Sequence, residues 1–389
     1  MSSISTVLYK VYSSLMCNVG SKNYILFESA PNISDNTLYV FNEMLKRGLN
    51  KKYKFIWALN NEDGNIENPF EGVKNVKVVS RRSFLFKYYY SYFAKCLICC
   101  NHFLPKRNKK QKVVYLAHGA TVKDVRGDNY EVPESYKNDK GITLSDFTAK
   151  YDSKTLNAPS DFMLPLGYPR NDILFEEKID LEKLFGIKAD KFIYWLPTFR
   201  RHKNDSKRVC SSISIPVIHN EDNAVRLNEV AKENNVAIIV KPHPAQDLSY
   251  IKEMSLSNIL FIDNSFLNKN GVENYRVLGS SDALLTDYSS VMYDYLLVNK
   301  PIGLCWEDIE EYKELEGLIF NDEELESVTR GCSKIYTCDD MLQFIIDLAS
   351  DNDYLKQQRE ETRSFLHKYT DANSTARVTD YIEHLLKRV

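Results

Sequence analysis

One stretch of the chain shows how the fold is built: Asp282-Ala-Leu-Leu-Thr286-Asp287-Tyr288-Ser289-Ser290-Val-Met-Tyr-Asp294-Tyr-Leu-Leu297. Its first part, Ala283 to Leu285, is apolar and bounded by polar residues, which predicts a short buried strand. Ser289 and Ser290 stand where the N-cap of a helix belongs, and apolar residues follow them at helical spacing. A strand that passes through a polar turn into a helix is the repeating unit of a parallel α/β sheet.

The same alternation of strand and helix occurs in two series along the chain. Helices are predicted at Thr37–Arg47 and Arg82–Lys95. The predicted strands are Asn23–Glu28, Tyr53–Leu59, Val73–Val79, Cys96–Cys100 and Val113–Ala117, then Lys191–Leu196, Val236–Val240, Ile259–Ile262, Ala283–Leu285 and Pro301–Cys305. We therefore predict an α/β fold of two doubly wound parallel-sheet (Rossmann-like) domains that face each other across a cleft at the carboxyl ends of their strands.

Three parts of the chain are expected. Residues 1–177 form an N-terminal domain, residues 178–365 form a C-terminal domain, and residues 366–389 form a final helix that packs back toward the first domain. The charged stretch from Lys178 to Asp190 is the predicted linker. A helical region from about Met341 to Val389 is expected to break near Asp371.

The composition is that of a globular protein without a strong overall charge. The 389 residues are 43% hydrophobic and 27% charged, with a formal net charge of −2, which disfavours nucleic acid as a partner. No apolar run is long enough to span a bilayer, and the N-terminus lacks a signal-peptide layout, so we expect a cytoplasmic protein. The eight cysteines lack the spacing of zinc ligands, and we expect no metal site.

A histidine follows the last predicted strand of the first series. His118-Gly119 comes directly after Ala117, and a glycine at this point lets the backbone approach a ligand closely. A histidine on such a turn can act as a general base near neutral pH. A turn histidine that bonds only the backbone fits this motif equally well.

A second histidine follows a strand of the second series, in Lys241-Pro242-His243-Pro244. The two prolines fix the backbone around the imidazole, and Lys241 adds a charge. Arg200, after the strand that ends at Leu196, is a candidate anion contact because a guanidinium matches phosphate geometry. A stiff surface loop is the alternative for the histidine turn.

The turn after Leu285 is a candidate phosphate site. The helix that begins at Ser289 and Ser290 would offer unpaired N–H groups, a partial positive charge and two hydroxyl donors. Gly167-Tyr-Pro-Arg170-Asn-Asp172 is a sharp turn in which Asp172 could cap a helix. Two histidines, several basic groups and this helix start fit phosphoryl or glycosyl transfer from a nucleotide diphosphate donor.

The ordered set of motifs resembles the CDP-glycerol glycerophosphotransferases of teichoic-acid and capsule synthesis. In chain order the motifs are Ser34-Asp35-Asn36, His118-Gly119, Gly167 to Asp172, Pro197-Thr-Phe-Arg200, Lys241 to Pro244, Asp287 to Asp294, and Lys300-Pro301. The resemblance spans about Tyr24 to Pro301. One departure is Ala120, where this family usually has threonine after His-Gly, and this departure bears on the acceptor.

The resemblance implies a GT-B-type fold, with an N-terminal acceptor domain and a C-terminal donor domain. His118 would deprotonate the acceptor hydroxyl, which attacks the β-phosphorus of CDP-glycerol and displaces CMP. His243 would be the second catalytic residue and would steady the pyrophosphate. The donor-binding residues would be Arg200, Lys241, Thr286, Asp287, Ser289, Ser290 and Asp294. The residues on the acceptor side, or with structural roles, would be Gly119, Lys123, Arg170 and Asp172.

Asp294 would hold a serine or accept from a donor hydroxyl, because a carboxylate aimed at phosphate would be repelled. No cofactor is expected, although a divalent cation such as Mg²⁺ could neutralise the leaving pyrophosphate.

Lipid-linked acceptors are frequent in the family, which implies a peripheral contact with the inner face of the bacterial cell membrane. Arg81–Lys95 mixes aromatic and basic residues, and more basic residues follow in Lys106–Lys112. The alternative is a core-packing helix beside a solvated basic loop.

Other functions stay open at this point. CDP-ribitol differs from CDP-glycerol only in the length of its polyol. A GT-B glycosyltransferase that uses a CMP- or UDP-activated sugar would have similar motifs. A nucleotide-binding scaffold is disfavoured, because it would need a phosphate site but not two candidate catalytic histidines. The sequence does not distinguish the acceptor, one addition from many, or the oligomeric state.

Overall fold

The structure is a computed structural model that describes residues 3–60, 68–124, 131–198, 215–218, 220–243, 246, 254–315 and 317–388. The strands are β1 (Tyr24–Glu28), β2 (Lys54–Leu59), β3 (Val76–Ser80), β4 (Ala94–Cys99), β5 (Lys112–Tyr115), β6 (Lys140–Thr143), β7 (Met163–Pro165), β8 (Lys191–Trp195), β9 (Val236–Val240), β10 (Ile259–Phe261), β11 (Ala283–Thr286), β12 (Ile302–Cys305) and β13 (Ser333–Ile335).

The α-helices lie between and after these strands. They are α1 (Ser3–Met16), α2 (Asp35–Lys46), α3 (Ser91–Phe93), α4 (Asp146–Thr155), α5 (Leu181–Phe185), α6 (Glu221–Glu233), α7 (Asn264–Lys269), α8 (Asn274–Ser280), α9 (Val291–Leu296), α10 (Ile309–Leu315), α11 (Asp322–Thr329), α12 (Cys338–Ala349), α13 (Lys356–Leu366) and α14 (Ser374–Lys387). Among the described residues, none of these helices is long and apolar enough to cross a membrane.

Two compact units divide the described chain. The N-terminal unit contains the described residues up to Ala120, those from 131 to Asp172 and those from Asn373 onward. The C-terminal unit contains residues 121–124 and the described residues from Ile173 to Ala372. The chain therefore leaves the first unit after residue 172 and returns to it after 372, whereas the predicted divisions fall after 177 and 365.

The N-terminal unit is built on a seven-stranded parallel sheet in the order β3-β2-β1-β4-β5-β6-β7. Its central strands are almost continuously buried, as expected of a parallel sheet covered on both faces. Phe27 and Trp57 belong to its core together with Val378, Ile382 and Leu386 of α14. These three residues recur every fourth position and so form one apolar stripe. The last helix of the chain thus completes the core of the first unit.

The C-terminal unit is built on a six-stranded parallel sheet in the order β10-β9-β8-β11-β12-β13. In each parallel sheet, the order in which the chain adds strands reverses at one strand pair. This pair is β1/β4 in the first sheet and β8/β11 in the second. Ligands of doubly wound sheets bind beyond the carboxyl ends of the strands at such a switch point. The predicted class, α/β with two doubly wound parallel sheets, is confirmed.

Two predicted helices differ from the structure. The helix predicted over Arg82–Lys95 is a π-helical turn at Phe86–Tyr90 followed by α3, and Lys95 already lies in β4. The buried strand therefore begins before its first cysteine. The long C-terminal helix breaks near Asp371 as predicted, but it also breaks between α12 and α13, where Asp351 has a φ of 54° that an α-helix cannot continue.

Candidate active site

An aspartate and a histidine meet beyond the carboxyl ends of β1 and β5. His118 Nδ1 is hydrogen-bonded to Oδ2 of Asp35, the first residue of α2. The histidine side chain is 64% exposed, whereas the aspartate side chain is only 7% exposed. Because the carboxylate engages Nδ1, Nε2 is the ring nitrogen presented to a substrate. This is the arrangement that orients an imidazole for general-base chemistry.

Asn36 fixes the backbone on which the pair stands. Its fully buried side chain donates to the carbonyl of Ala117 at 2.9 Å and accepts the N–H of Arg170 at 3.0 Å. Asp35 and Ala117 both have positive φ, 56° and 52°, which costs a residue other than glycine about 1–3 kcal/mol. The local strain therefore lies at the aspartate itself and directly before His118, a placement typical of functional sites.

Arg170 completes the group. Its Nη1 lies 2.9 Å from Oδ1 of Asp35, and both side chains are 7% exposed. Burial would raise the pKa of the Asp35 carboxyl. The guanidinium, together with hydrogen bonds from His118 and the Asn36 N–H, outweighs burial and holds this pKa well below its ordinary value. Asp35 is therefore ionised at neutral pH and would stabilise a proton gained by His118.

Three side chains that can bind a metal ion meet at this place. Within the described chain, ligand atoms of Asp35, Cys100 and His118 lie within 4.8 Å of one another. Cys100 Sγ, however, donates to the carbonyl of Ala117 at 2.8 Å, and burial raises the pKa of its thiol well above the ordinary value. A cysteine ligand must be a thiolate, and Arg170 already binds the carboxylate of Asp35. The residues present fit a hydrogen-bonded ion pair better than a metal ligand set.

In the C-terminal unit, Asp287 ties the turn after β11 to the turn after β8. Its carboxylate oxygens each accept the N–H of Thr198 at 3.0 Å, and one of them also accepts the Thr198 hydroxyl. Thr286 adds a hydrogen bond from its hydroxyl to the carbonyl of Leu196 at 2.8 Å. Thr286 and Asp287 thus support the turn that leads to Arg200, which itself lies outside the described residues.

The two serines stand at the start of α9, as the sequence predicts. Ser290 is the N-cap residue, and its side chain makes no capping hydrogen bond within this described helix. Ser289 Oγ accepts the N–H of Val291 at 3.4 Å. Asp294 is buried, and its Oδ2 accepts the hydroxyl of Tyr275 at 2.6 Å. One partner of this carboxylate is thus a tyrosine that the sequence did not indicate.

The second histidine motif follows β9. The N–H of Lys241 donates to the carbonyl of Trp195 at 2.9 Å, so the residue continues the pairing of β9 with β8. Burial lowers the pKa of the Lys241 ammonium, and Asp263 partly offsets this effect. His243 is exposed, and its carbonyl accepts the N–H of Gln246 at 2.9 Å, whereas Pro244 lies outside the described residues. A basic turn therefore stands at the same sheet edge as Ser289.

The remaining predicted residues separate between the two units. Gly119 is half-buried beside His118 in the N-terminal unit. Asp172 accepts the N–H groups of Ser374 and Thr375 at 2.9 and 2.8 Å, so it caps α14 rather than a helix of its own turn. Lys123 lies in the C-terminal unit, where its Nζ is 5.6 Å from the centre of the Tyr312 ring.

Asp35 is the main residue that reasoning from the sequence missed. It entered only as part of Ser34-Asp35-Asn36, and no role was assigned to it. The available signal was its position in a polar cluster just after the first strand, the type of position that singled out His118. The pairing itself spans 83 residues and depends on β1, β4 and β5 lying side by side.

The sequence of the chain matches a known protein family. The family model described as CDP-glycerol:poly(glycerophosphate) glycerophosphotransferase matches residues 10–384. The chain belongs to this family. The predicted resemblance is thereby confirmed, and the match extends beyond the predicted span of Tyr24 to Pro301 at both ends.

The individual relatives that match this chain are similar to it at low sequence identity. The teichoic acid glycerol-phosphate primase of Bacillus subtilis is 27% identical over 234 residues, which are 60% of this chain and 54% of the primase. The teichoic acid ribitol-phosphate polymerase TarL of Staphylococcus aureus is 25% identical over 315 residues, which are 75% of this chain and 51% of the polymerase. The match therefore spans about half the length of these relatives.

A solved member shares the fold. The structure of a variant of the wall teichoic acid polymerase TagF superposes with a TM-score of 0.72 and 21% identity. The superposition covers 99% of this chain and 96% of the TagF chain. The predicted GT-B-type fold is thus shared with the solved TagF polymerase.

Proposed function

We propose that this protein transfers glycerol phosphate from CDP-glycerol to a hydroxyl group of an acceptor in teichoic-acid synthesis and releases CMP. The observation that carries the proposal is the Asp35-bound His118. Transfer to a hydroxyl needs a base that accepts the hydroxyl proton, and an imidazole whose Nδ1 is held by a carboxylate presents Nε2 for this purpose. Membership of the glycerophosphotransferase family supports the choice of donor.

The chemical step needs one proton acceptor. The acceptor oxygen attacks the β-phosphorus of CDP-glycerol, and the hydroxyl proton moves to Nε2 of His118. The bond between this phosphorus and the bridging oxygen breaks, and its electron pair leaves with CMP. Asp35 keeps Nδ1 protonated and stabilises the imidazolium, while Arg170 keeps Asp35 charged. The residues therefore act by positioning and electrostatics.

The donor is assigned to residues of the C-terminal unit. Ser289 and Ser290 would hold phosphate at the start of α9, and Lys241, His243 and Arg200 would offset the pyrophosphate charge. Thr286 and Asp287 would act by holding the turn before Arg200. This assignment requires no cofactor. Turnover is expected to persist in EDTA, and a requirement for added Mg²⁺ would assign charge neutralisation to a cation instead.

CDP-ribitol is the second candidate donor. The ribitol-phosphate polymerase TarL is nearly as similar to this chain as the glycerol-phosphate primase, 25% against 27% identity. The chemical step would be unchanged, and only the contacts with the polyol would differ.

A donor panel tests the proposal. The purified protein is incubated with an acceptor and CDP-glycerol, CDP-ribitol, a CMP-sugar or a UDP-sugar, and release of CMP or UDP is measured. We expect CMP release with CDP-glycerol and its loss in His118→Ala, with donor binding retained. Turnover with a sugar nucleotide alone would reassign the protein as a glycosyltransferase.

We also propose that the acceptor is lipid-linked and that the protein works at the cytoplasmic face of the bacterial membrane. On the Arg81–Lys95 segment, Phe84 is 73% exposed and Leu85 is 53% exposed, with Lys87 exposed beside them. Tyr88 of this segment packs on Tyr12 of α1 with ring centres 5.7 Å apart. Helix α1, which contacts the segment through Tyr12, also carries the exposed Val11 and Leu15. We call the exposed side chains of the segment, Phe84, Leu85 and Lys87, the aromatic–basic surface; apolar residues beside a lysine favour an anionic lipid interface.

The Lys106–Lys112 stretch, the second part of the membrane prediction, needs revision. Lys106 is largely buried and lies 2.6 Å from the buried Asp139, so it is occupied by an ion pair. In the Lys106–Lys112 stretch, the exposed lysines are Lys109 and Lys110.

Vesicle flotation tests the surface directly. Phosphatidylglycerol vesicles are expected to float the wild-type protein, and Phe84→Ser combined with Leu85→Ser is expected to reduce the floated fraction. Val225→Ser, an exposed apolar residue of α6 in the other unit, is the matched control. Equal flotation of all three proteins would reject the aromatic–basic surface as the contact.

A further inference from the structure

A second carboxylate–histidine pair lies in the N-terminal unit. Glu28, the last residue of β1, is 1% exposed, and its Oε1 lies 2.9 Å from Nδ1 of His102. Its Oε2 accepts the backbone N–H groups of His102 and Cys100 at 3.2 and 3.4 Å. The same geometry as in the first pair results, because a buried carboxylate engages Nδ1 and leaves Nε2 facing outward.

The two pairs stand on the same edge of the same sheet. Strands β4 and β5 are parallel neighbours, and Cys99 is paired with Tyr115. His102 and His118 each follow these paired residues by three positions. The carboxylates likewise come from one connection, since Glu28 ends β1 and Asp35 begins α2. One connection therefore orients two imidazoles from adjacent strand ends at the switch point.

A purely structural role does not account for this pair well. Two backbone N–H groups already satisfy Oε2 of Glu28, so the turn after β4 is capped without the imidazole. A buried carboxylate also costs free energy that a glutamine at this position would avoid. The His102 side chain is nevertheless 49% exposed, which places a rigidly held ring where a ligand can reach it.

We propose that His102 is an acceptor-binding residue, an inference that rests on the proposed transferase function. Its Nε2 hydrogen-bonds an oxygen of the acceptor, either a hydroxyl or a phosphate oxygen of a polyol-phosphate chain. His118 then takes the proton of the attacking hydroxyl. Glu28 is a positioning residue, because it acts through the ring that it holds.

The experiment compares His102→Ala and His102→Gln with the wild type. The glutamine amide can still donate to Glu28, so this variant keeps the buried carboxylate satisfied if the alanine variant does not fold. The matched control is His384→Gln, an exposed histidine of α14 in the same unit. Steady-state KM for the acceptor, KM for CDP-glycerol, kcat and the melting temperature are measured for each protein.

Loss of one hydrogen bond to the acceptor is expected to raise the acceptor KM about 10-fold. The KM for CDP-glycerol is expected to stay at the wild-type value, and His384→Gln is expected to match the wild type in every measurement. A phosphate-bearing and a phosphate-free acceptor separate the two kinds of oxygen: a change confined to the former assigns His102 to phosphate, and a change with both assigns it to hydroxyl.

An unchanged acceptor KM in a folded His102 variant would overturn the inference. A failure of the proposed function would look different, because the wild-type protein itself would then release no CMP from CDP-glycerol.

Discussion

At the scale of single residues, the Asp35 carboxylate contacts two functional side chains. One carboxylate oxygen contacts the imidazole of His118 and the other contacts the guanidinium of Arg170. Because this carboxylate is almost completely buried, both its charge and its direction are set by these contacts.

Replacing Asp35 with asparagine is expected to lower kcat about 10²- to 10⁴-fold, because the amide can hold the wrong tautomer of His118 and cannot stabilise the imidazolium. Steady-state CMP release measures the effect. The donor KM should be unchanged, since the donor is assigned to the other unit. Asp161→Asn, at an exposed aspartate of the same unit, is the control. A folded Asp35→Asn protein with wild-type kcat would remove the pair from the mechanism.

The sequence alone allowed His118 to be singled out but not its partner. A histidine before a glycine at a strand end is a local pattern, and local patterns can be read from the chain. The contact with Asp35 depends on which strands become neighbours, and hydrophobic periodicity does not encode that order. For the same reason Tyr275 could not be recognised as the partner of Asp294.

At the scale of elements, α13 is joined to α9 by a buried histidine. His367 Nε2 lies 2.8 Å from the carbonyl of Tyr293 in α9, and burial lowers the pKa of the His367 imidazole to about 4. Two charged side chains also act on the His367 imidazole: Asp294 raises its pKa and Arg363 lowers it. The helix that carries the candidate phosphate turn is therefore held by a neutral imidazole.

Stability is expected to depend on pH through this residue. An unfolded histidine has a pKa near 6.5, so between about pH 6.5 and 4 the unfolded state binds more protons than the native state. The stability that the neutral His367 contributes is fully present above about pH 6.5 and is lost as the pH falls toward about 4. The free energy of unfolding is expected to decrease by up to about 3 kcal/mol over this range. Urea unfolding at pH 7, 6 and 5 measures it. His367→Asn should flatten this part of the slope, whereas His384→Asn should not. Identical slopes would show that His367 is not the titrating group.

A second element depends on one carboxylate. Asp172 accepts the first two N–H groups at the start of α14, so Asp172→Ala is expected to lower the free energy of unfolding by about 1–2 kcal/mol. Urea unfolding at pH 7 measures the loss, with Asp161→Ala as an exposed control. A loss no larger than that of the control would mean that the helix start does not depend on this cap.

Elements were predictable where the pattern was local. The strand predicted at Ala283–Leu285 is found as part of β11, and α9 begins directly after Ser290, because an apolar run and the polar turn after it act over a few residues. The capping hydrogen bond that a serine at this position suggests is not made by the Ser290 side chain in this described helix. The helical period of Arg82–Lys95 predicts that Lys95 is helical, but Lys95 lies in the mostly buried strand β4. Packing in the sheet thus overrides the local pattern at the end of this segment.

At the scale of the whole molecule, the core of the N-terminal unit combines the two ends of the chain. Ile382 of α14 is fully buried in that core with Phe27 and Trp57. The sequence suggested a returning final helix from its position, but it could not show which residues form the apolar stripe of that helix.

Ile382→Ala is therefore expected to lower the free energy of unfolding of the N-terminal unit by about 2–5 kcal/mol. Ile382 acts on this unit although it lies more than 300 residues after β1 in the sequence. Hydrogen exchange read by mass spectrometry should show faster exchange in peptides from β1 and β2. Leu227→Ala, equally buried in the C-terminal unit, should instead affect peptides from β8 and β9. If both variants change the same peptides, the cores are not separate as described.

The return of α14 has a consequence for biosynthesis. While the ribosome is still adding residues, the first sheet has emerged but lacks the stripe of Val378, Ile382 and Leu386 that covers part of it. The C-terminal unit is nearly contiguous in sequence and has been made almost entirely by then. The unit that is translated first therefore cannot bury all of its apolar surface until α14 has been made, and until then that surface is open to aggregation.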